Sequence, residues 1–108
     1  MNSELNTLYF IVDGKNIAFD SKNDSTFLMP GSKIPVQAEF TFSKEWGNTP
    51  KVVGFYSRLG TEYPPQLLKD GKRCVIPAEV LQKRFFKLKV VGQNGMMTNK
   101  FTVDQKGG

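Results

Sequence analysis

The fold is decided by residues 33–42, which read KIPVQAEFTF. Apolar and polar side chains alternate along this stretch, so every second residue belongs to the same face of an extended chain. One face carries Ile34, Val36, Ala38, Phe40 and Phe42. The alternation predicts a β-strand with one face in a hydrophobic core and the other in water. Pro35 lacks a backbone N–H, which places the beginning of this strand at a sheet edge.

The same period of two recurs along the chain between turn residues. Two Asp-Gly pairs, at 13–14 and 70–71, each predict the turn of a hairpin. The first hairpin joins residues 9–12 to 17–19, and the second joins 66–68 to 73–76. Further strands are expected at 26–29, 51–57, 86–90 and 96–103. Residues 77–81 read PAEVL and predict one helical turn, because proline fits a first turn and Glu79 favours the helix dipole there.

About eight short strands and one short helical turn near residues 77–82 predict an all-β fold. We favour an Ig-like antiparallel β-sandwich, with a small barrel as the alternative architecture. The length of 108 residues fits one domain with its own core. We expect that domain to span residues 1–104, followed by a flexible C-terminal tail at 105–108.

The inventory of reactive side chains is small, because the chain contains no His and a single Cys. Ser–His and Cys–His pairs are therefore excluded within the chain, and so are zinc sites built from Cys and His. The ten acidic residues are scattered, and neither a phosphate-binding Gly-rich loop nor a Gly-x-Ser-x-Gly elbow occurs. We expect no enzyme activity, no cofactor and no metal site.

Two single residues are interpreted as structural. Cys74 stands in a predicted strand beside apolar residues, and a free cysteine in that setting behaves as a small buried hydrophobe. Trp46 precedes a turn, and a lone tryptophan in a small sandwich is expected to close one end of the core.

The net charge of +5 is distributed unevenly. Residues 1–54 contain five basic and six acidic side chains, whereas residues 55–108 contain ten basic and four acidic ones. A basic face in the second half suits an anionic partner such as a nucleic acid, a teichoic-type polymer or an acidic protein. Solubility alone is the other explanation of this charge.

The most basic segment, residues 83–89, reads KRFFKLK. On a strand, Phe86 and Leu88 point to the core, and the outward residues of the segment are candidates for binding. These candidates are Lys83, Arg84, Phe85, Lys87 and Lys89. Cations interleaved with an aromatic ring are suited to a phosphate backbone and a stacked base. Alternating lysines also protect edge strands from aggregation, which is the competing explanation.

A second candidate contact patch contains Tyr56, Arg58 and Tyr63. Tyr and Arg dominate the energetic centres of protein interfaces, and these three lie close together in the sequence. A protein partner is therefore a second possibility beside an anionic polymer.

Several segments form a wider pattern: FTFSKEW at 40–46, KVVGFY at 51–56, CVIPAEVL at 74–81, FKLKVVG at 86–92, and Thr98-Asn99. Together they resemble the small β-sandwich in structural proteins of phages that infect Gram-positive bacteria. The N-terminal domains of baseplate upper proteins and small tail or head-fibre proteins are the relatives suggested. The resemblance covers residues 33–103. It implies a non-enzymatic virion building block that mediates assembly or holds a receptor-binding module.

The leading functional expectation is a phage structural protein that acts through protein contacts in virion assembly or host adsorption. Its partners would be other virion proteins, and exposed strand edges predict a homo-oligomer. Two alternatives stay open. One is a binder of nucleic acid or another anionic polymer through the basic strand, and the other is a small phage-encoded inhibitor of a host or defence protein.

The apolar run at 8–12 has five residues, which is too short for a signal-peptide core or a membrane span. We therefore expect no signal peptide and no membrane insertion. The expected location is the virion, assembled in the host cytoplasm.

Overall fold

The chain forms two β-sheets that share one hydrophobic core. The structure is a computed structural model that describes residues 6–20, 36–83 and 85–104. The elements in chain order are β1 (Asn6–Asp13), β2 (Asn16–Phe19), β3 (Val36–Phe42), a short 3-10 helix (Lys44–Trp46), β4 (Lys51–Ser57), β5 (Glu62–Leu67), β6 (Arg73–Val75), α1 (Ala78–Leu81), β7 (Phe85–Gly92) and β8 (Phe101–Asp104). The first sheet has the order β2-β1-β3-β6 and the second β5-β4-β7-β8. This architecture confirms the predicted all-β sandwich.

Most of the predicted elements that fall in the described residues are present. The strands expected at 9–12, 17–19, 51–57 and 86–90 are confirmed, and the helical turn predicted near 77–82 is α1. Four predicted features lie outside the described residues: the strand at 26–29, the beginning of the stretch at 33–35, Arg84, and the tail at 105–108.

The core follows from the alternation of side chains along each strand. In β3 Val36, Ala38 and Phe40 are buried, Phe42 is partly buried, and the polar positions between them are partly or fully exposed, as the alternation predicts. Phe10 on β1 stacks on Phe40 with ring centroids 5.1 Å apart, and it meets Phe101 of the second sheet edge-to-face at 6.0 Å. Aromatic contacts therefore join neighbouring strands and also join the two sheets.

One strand pair departs from the predicted antiparallel arrangement. β1 and β3 run parallel, with Phe10 opposite Phe40. An alternating pattern is the same in either direction, so the sequence gives no sign of strand polarity. Parallel neighbours need a long crossover connection. The chain between β1 and β3, residues 14–35, is long enough for one, and it includes β2.

The second predicted hairpin is wrong in its strand pairing, although its turn forms. Asp70 and Gly71 both adopt positive φ, at 53° and 71°, which is the geometry that favours Asp-Gly in tight turns. Lys69 and Arg73 exchange backbone hydrogen bonds of 2.6 and 3.0 Å. Beyond that bridge the two flanking strands separate, because β5 pairs with β4 in one sheet while β6 pairs with β3 in the other.

The last strand is shorter than predicted. Only β8 and an isolated bridge between Val91 and Met97 occur in the segment expected to be one strand over 96–103. Thr98 interrupts the ladder, since its hydroxyl accepts a hydrogen bond from the Val90 N–H and donates one to the Asn99 carbonyl. Such local side-chain bonds compete with a regular sheet ladder.

Trp46 closes one end of the core, as the sequence predicts. Its side chain is fully buried, and its indole Nε1 donates a 2.9 Å hydrogen bond to the carbonyl of Gly14. A Cβ at Gly92 would lie 3.3 Å from the indole ring, so the absence of a side chain there leaves room for it. The indole therefore ties the β1–β2 turn to the end of β7.

Trp46→Phe should lower the free energy of unfolding by about 2–3 kcal/mol, because it leaves a cavity and removes the partner of the Gly14 carbonyl. Leu59→Ala is the control, because Leu59 is 94% exposed and its loss should cost no more than about 0.5 kcal/mol. Urea unfolding followed by far-ultraviolet circular dichroism measures both. Equal stabilities of the two variants would contradict the role given to Trp46.

Lys51 is a buried charge held by backbone oxygens. Its Nζ donates to the carbonyls of Gly47 at 3.1 Å and Thr49 at 2.8 Å, and it stands 4.8 Å from the centroid of the Phe42 ring. Burial lowers the pKa of this ammonium from 10.5. The carbonyls and the ring replace water around the ammonium, so Lys51 secures the loop before β4.

Cys74 is the second buried titratable group, and it lies in the core as predicted. Burial raises the pKa of its thiol from 9.0 to about 12. The thiolate is the nucleophilic form of cysteine, and the folded chain keeps this thiol protonated well above neutral pH. Cys74 therefore acts as a packing residue.

The Cys74 thiol should make the fold less stable in alkaline solution. Between pH 9 and 12 the unfolded chain releases a proton that the folded chain retains, so the stabilisation present below pH 9 is lost as the pH rises. We expect this group to remove about 1.4 kcal/mol from the free energy of unfolding between pH 7 and 10.

Urea unfolding of the native chain and of Cys74→Ala at both pH values measures this loss. The difference between the two chains isolates the thiol from Lys51 and from the tyrosines. A difference that stays constant from pH 7 to 10 would contradict the prediction.

Candidate binding face

We call the solvent-facing side of the second sheet the outer face. The register of β4 with β7 determines which residues share it, since directly paired residues point to the same side of a sheet. The outward pairs along these two strands are Val52 with Val91, Gly54 with Lys89, and Tyr56 with Lys87. The alternate pairs, such as Val53 with Val90 and Phe55 with Leu88, enter the core.

The basic strand adopts the predicted orientation. Phe86 and Leu88 are fully buried, whereas Phe85, Lys87 and Lys89 are half-buried on the outer face. Lys83 is exposed in the bend before this strand. β7 has neighbours on both sides, β4 and β8, so the interpretation that its lysines protect a sheet edge is wrong. Their position in the middle of a face is compatible with binding.

The Tyr56 ring lies across the outer face. A Cβ at Gly54 would come within 2.8 Å of the Tyr56 hydroxyl oxygen, so the ring occupies the space above this glycine. Lys100 Nζ is 4.2 Å from the ring centroid. Burial, with the charge of Glu62 as a smaller cause, raises the pKa of Tyr56. The ring is therefore enclosed between backbone on one side and an ammonium on the other.

Arg58 makes a similar contact with Phe85. Its guanidinium carbon lies 5.5 Å from the centroid of the Phe85 ring, and two open clefts share this pair. We call this region the Arg58 corner; it comprises Arg58, Leu59, Lys83, Phe85, Lys87 and Thr102. Basic side chains line both clefts, and the lining residues in the described part of the chain include no carboxylate.

The structure separates Tyr63 from the two residues with which the sequence grouped it. An irregularity in the β4–β5 register places Tyr63 opposite Phe55, on the side that packs against the core. Glu62 takes the outward place beside Tyr56. The predicted patch of Tyr56, Arg58 and Tyr63 is therefore corrected to one in which only the first two belong to the outer face.

A line of exposed apolar side chains crosses the other end of the outer face. Val52 pairs with Leu67 on one side and with Val91 on the other, and Val91 bridges to Met97. The exposed fractions are 66% for Leu67, 37% for Val52, 36% for Val91 and 46% for Met97. We call these four residues the apolar row. No single stretch of the sequence identifies these four residues, because only the register between the strands brings them together.

Basic side chains predominate over acidic ones on the described part of the outer face. Five cations lie on it or at its border: Arg58, Lys83, Lys87, Lys89 and Lys100. The two acidic residues, Glu62 and Asp104, stand on the edge strands β5 and β8, where they pair with Tyr56 and Phe85. Lys100 was not predicted, since it lies in an irregular segment without strand periodicity. The face thus combines apolar, aromatic and cationic groups.

This combination of apolar, aromatic and cationic groups is suited to binding. The described residues contain no group of three or more His, Cys, Asp or Glu that could hold a metal ion. None of the helices within them is long and apolar enough to cross a membrane.

Comparisons with protein-family models, with curated proteins and with solved structures find no match for the chain. The resemblance to phage structural proteins consequently rests on the sequence segments alone. The geometry of the outer face indicates a function independently of that resemblance.

Gly54→Ala tests the arrangement of the outer face. The new Cβ should displace the Tyr56 ring from its place beneath Lys100, because the close contact is with the far end of a side chain that can rotate away. We expect the Tyr56 pKa to move down towards 10.0, while the free energy of unfolding stays within about 1 kcal/mol.

Carbon-13 NMR of labelled tyrosine over an alkaline titration measures this pKa. Tyr56→Phe assigns the resonance. An unaltered Tyr56 titration would contradict the enclosed position of the ring.

Proposed function

We propose that the chain is a non-enzymatic protein-binding domain of a phage particle, and that the outer face is its contact surface. The apolar row is the observation that carries this proposal. Single exposed apolar residues are ordinary, whereas a contiguous line of them is typical of an interaction site. The phage context comes from the resemblance of residues 33–103 to virion sandwich domains.

The surroundings of the apolar row resemble the anatomy of a protein interface. Interfaces place apolar side chains centrally and polar ones around them, and they are enriched in Tyr, Met and Arg. Here Met97 belongs to the row, and Tyr56 and Arg58 follow along the same face. A partner of matching chemistry would present an apolar ridge with carboxylates beside it.

The charge of the outer face disfavours a second copy of the chain as this partner. Face-to-face pairing of two copies would bring their basic regions together, and like charges at an interface oppose association. The homo-oligomer expected from strand edges therefore requires another surface. Within the proposal, the outer face contacts a different virion protein.

Binding of nucleic acid or another anionic polymer is the second candidate function. Lys87, Lys89 and Lys100 favour it, because all three lie on the same side of the sheet. The characteristic property would be an affinity that falls steeply with salt. A small inhibitor of a host protein is the third candidate, and it would be absent from purified particles.

Val52→Lys and Leu67→Lys should each reduce incorporation of the chain into particles at least tenfold, because a buried unpaired ammonium at an interface is strongly unfavourable. Ile11→Lys is the matched control, since Ile11 is 40% exposed on the opposite sheet. Incorporation is measured by quantitative mass spectrometry of purified particles produced with each variant. Urea unfolding verifies that the variants fold.

Two results would overturn the proposal. Absence of the native chain from the particles would exclude the virion role. Equal incorporation of the native chain, Val52→Lys and Leu67→Lys would exclude the apolar row as a contact site.

A further inference from the structure

The Arg58 corner has features of a built recognition site. The guanidinium of Arg58 rests on the Phe85 ring, and each of the two clefts beside it has one additional cation. Lys83 lines the first cleft and Lys87 lines the second. Arg58 stands between them and belongs to both.

We propose that the Arg58 corner binds an acidic side chain of a partner protein, as the charged anchor of the interface. This inference rests on the proposed function and specifies the partner chemistry at one place on the outer face. A guanidinium presents a planar set of donors that matches both oxygens of a carboxylate. The contact with Phe85 restricts the orientation of the guanidinium, so less conformational entropy is lost on binding.

The residues around Arg58 also indicate which kind of side chain lies beside the carboxylate in the partner. Leu59 lines the first cleft and is 94% exposed at the tip of the turn between β4 and β5. An apolar side chain beside the Arg58 guanidinium suits a partner segment in which an acidic residue neighbours an apolar one. Thr102, which pairs with Lys87 in the sheet, also lines the second cleft and adds a side chain with a hydroxyl group to it.

Three observations favour an acidic protein over a nucleic acid. In the described part of the outer face, the rings of Tyr56 and Phe85 each have a cation above them, so a base would have to displace that cation in order to stack. The aliphatic apolar row has no counterpart in a phosphate backbone. Glu62 and Asp104 pair with Tyr56 and Phe85 and repel any anion placed beside these rings, but a protein partner can place cations opposite them, whereas a phosphate backbone carries only negative charge.

A titration monitored by NMR locates the site. The full chain, labelled with nitrogen-15, is titrated with the peptide N-acetyl-Phe-Glu-Glu-Leu-amide, with its Gln-Gln counterpart, and with a single-stranded oligothymidylate. We expect the acidic peptide to shift the amide resonances of Arg58, Leu59, Phe85 and Lys87, and to bind at least tenfold more tightly than the Gln-Gln peptide.

Substitutions test the part played by the guanidinium. Arg58→Ala should weaken binding of the acidic peptide about tenfold. Arg58→Lys should weaken it about threefold, since lysine retains the charge but lacks the planar set of N–H donors. Arg73→Ala is the matched control. Arg73 pairs with Glu39 at 3.3 Å on the other sheet, and its substitution should leave the peptide affinity unchanged.

Each contrary result overturns the inference in a distinct way. Equal affinity for the two peptides, or no binding of either, would exclude a carboxylate site. Shifts confined to the apolar row would place the contact elsewhere. Tighter binding of the oligothymidylate at the same residues would assign the corner to phosphates. All of these results are independent of particle incorporation, so the proposed function and this inference can fail separately.

Discussion

The register between β4 and β7 is the constraint on which the rest of the structure depends. Seven consecutive pairs run from Lys51 opposite Gly92 to Ser57 opposite Phe86. The inward pairs supply Val53, Phe55 and their partners to the core. A shift of one residue would turn these side chains to solvent and bury the lysines of β7, which is energetically prohibitive.

Because this register directs alternate residues of β4 and β7 into the core, it also determines which residues form the outer face. Once Val53 and Phe55 are committed inward, Val52 and Tyr56 must point outward beside Val91 and Lys87. The apolar row and the basic region thus have fixed positions relative to each other. A partner would meet them on a rigid sheet, which limits the conformational entropy lost on binding.

Much of the fold could be predicted because burial imposes a period of two on the strands. The buried and exposed positions of β3 and β7 were correct for this reason. Strand direction was not predictable, as the parallel β1–β3 pair demonstrates, because alternation is identical in both directions. The Asp70-Gly71 turn was recognised, yet its flanking strands separate because tertiary contacts with β3 and β4 determine their partners.

The candidate site was predictable only where it lies within one strand. Phe85, Lys87 and Lys89 were identified by their alternation, whereas the apolar row combines residues of three strands and a loop. Lys100 reaches the Tyr56 ring from an irregular segment, and no local pattern indicates that contact. Tyr63 was placed incorrectly because a register irregularity in β4–β5 intervenes, and one sequence gives no sign of it.

The two cation–aromatic contacts help to distinguish the possible ligands, although their energies alone do not decide between them. An exposed cation–π contact is worth about 0.5–1 kcal/mol, while stacking of a base contributes about 1–3 kcal/mol. A base could therefore displace Lys100 from Tyr56. The decisive feature is the composition of the whole outer face, in which an aliphatic row lies beside the cations and carboxylates stand on the edge strands. A protein surface with an apolar centre, carboxylates opposite the cations and cations opposite Glu62 and Asp104 complements all of these groups, whereas a phosphate backbone complements only the cations.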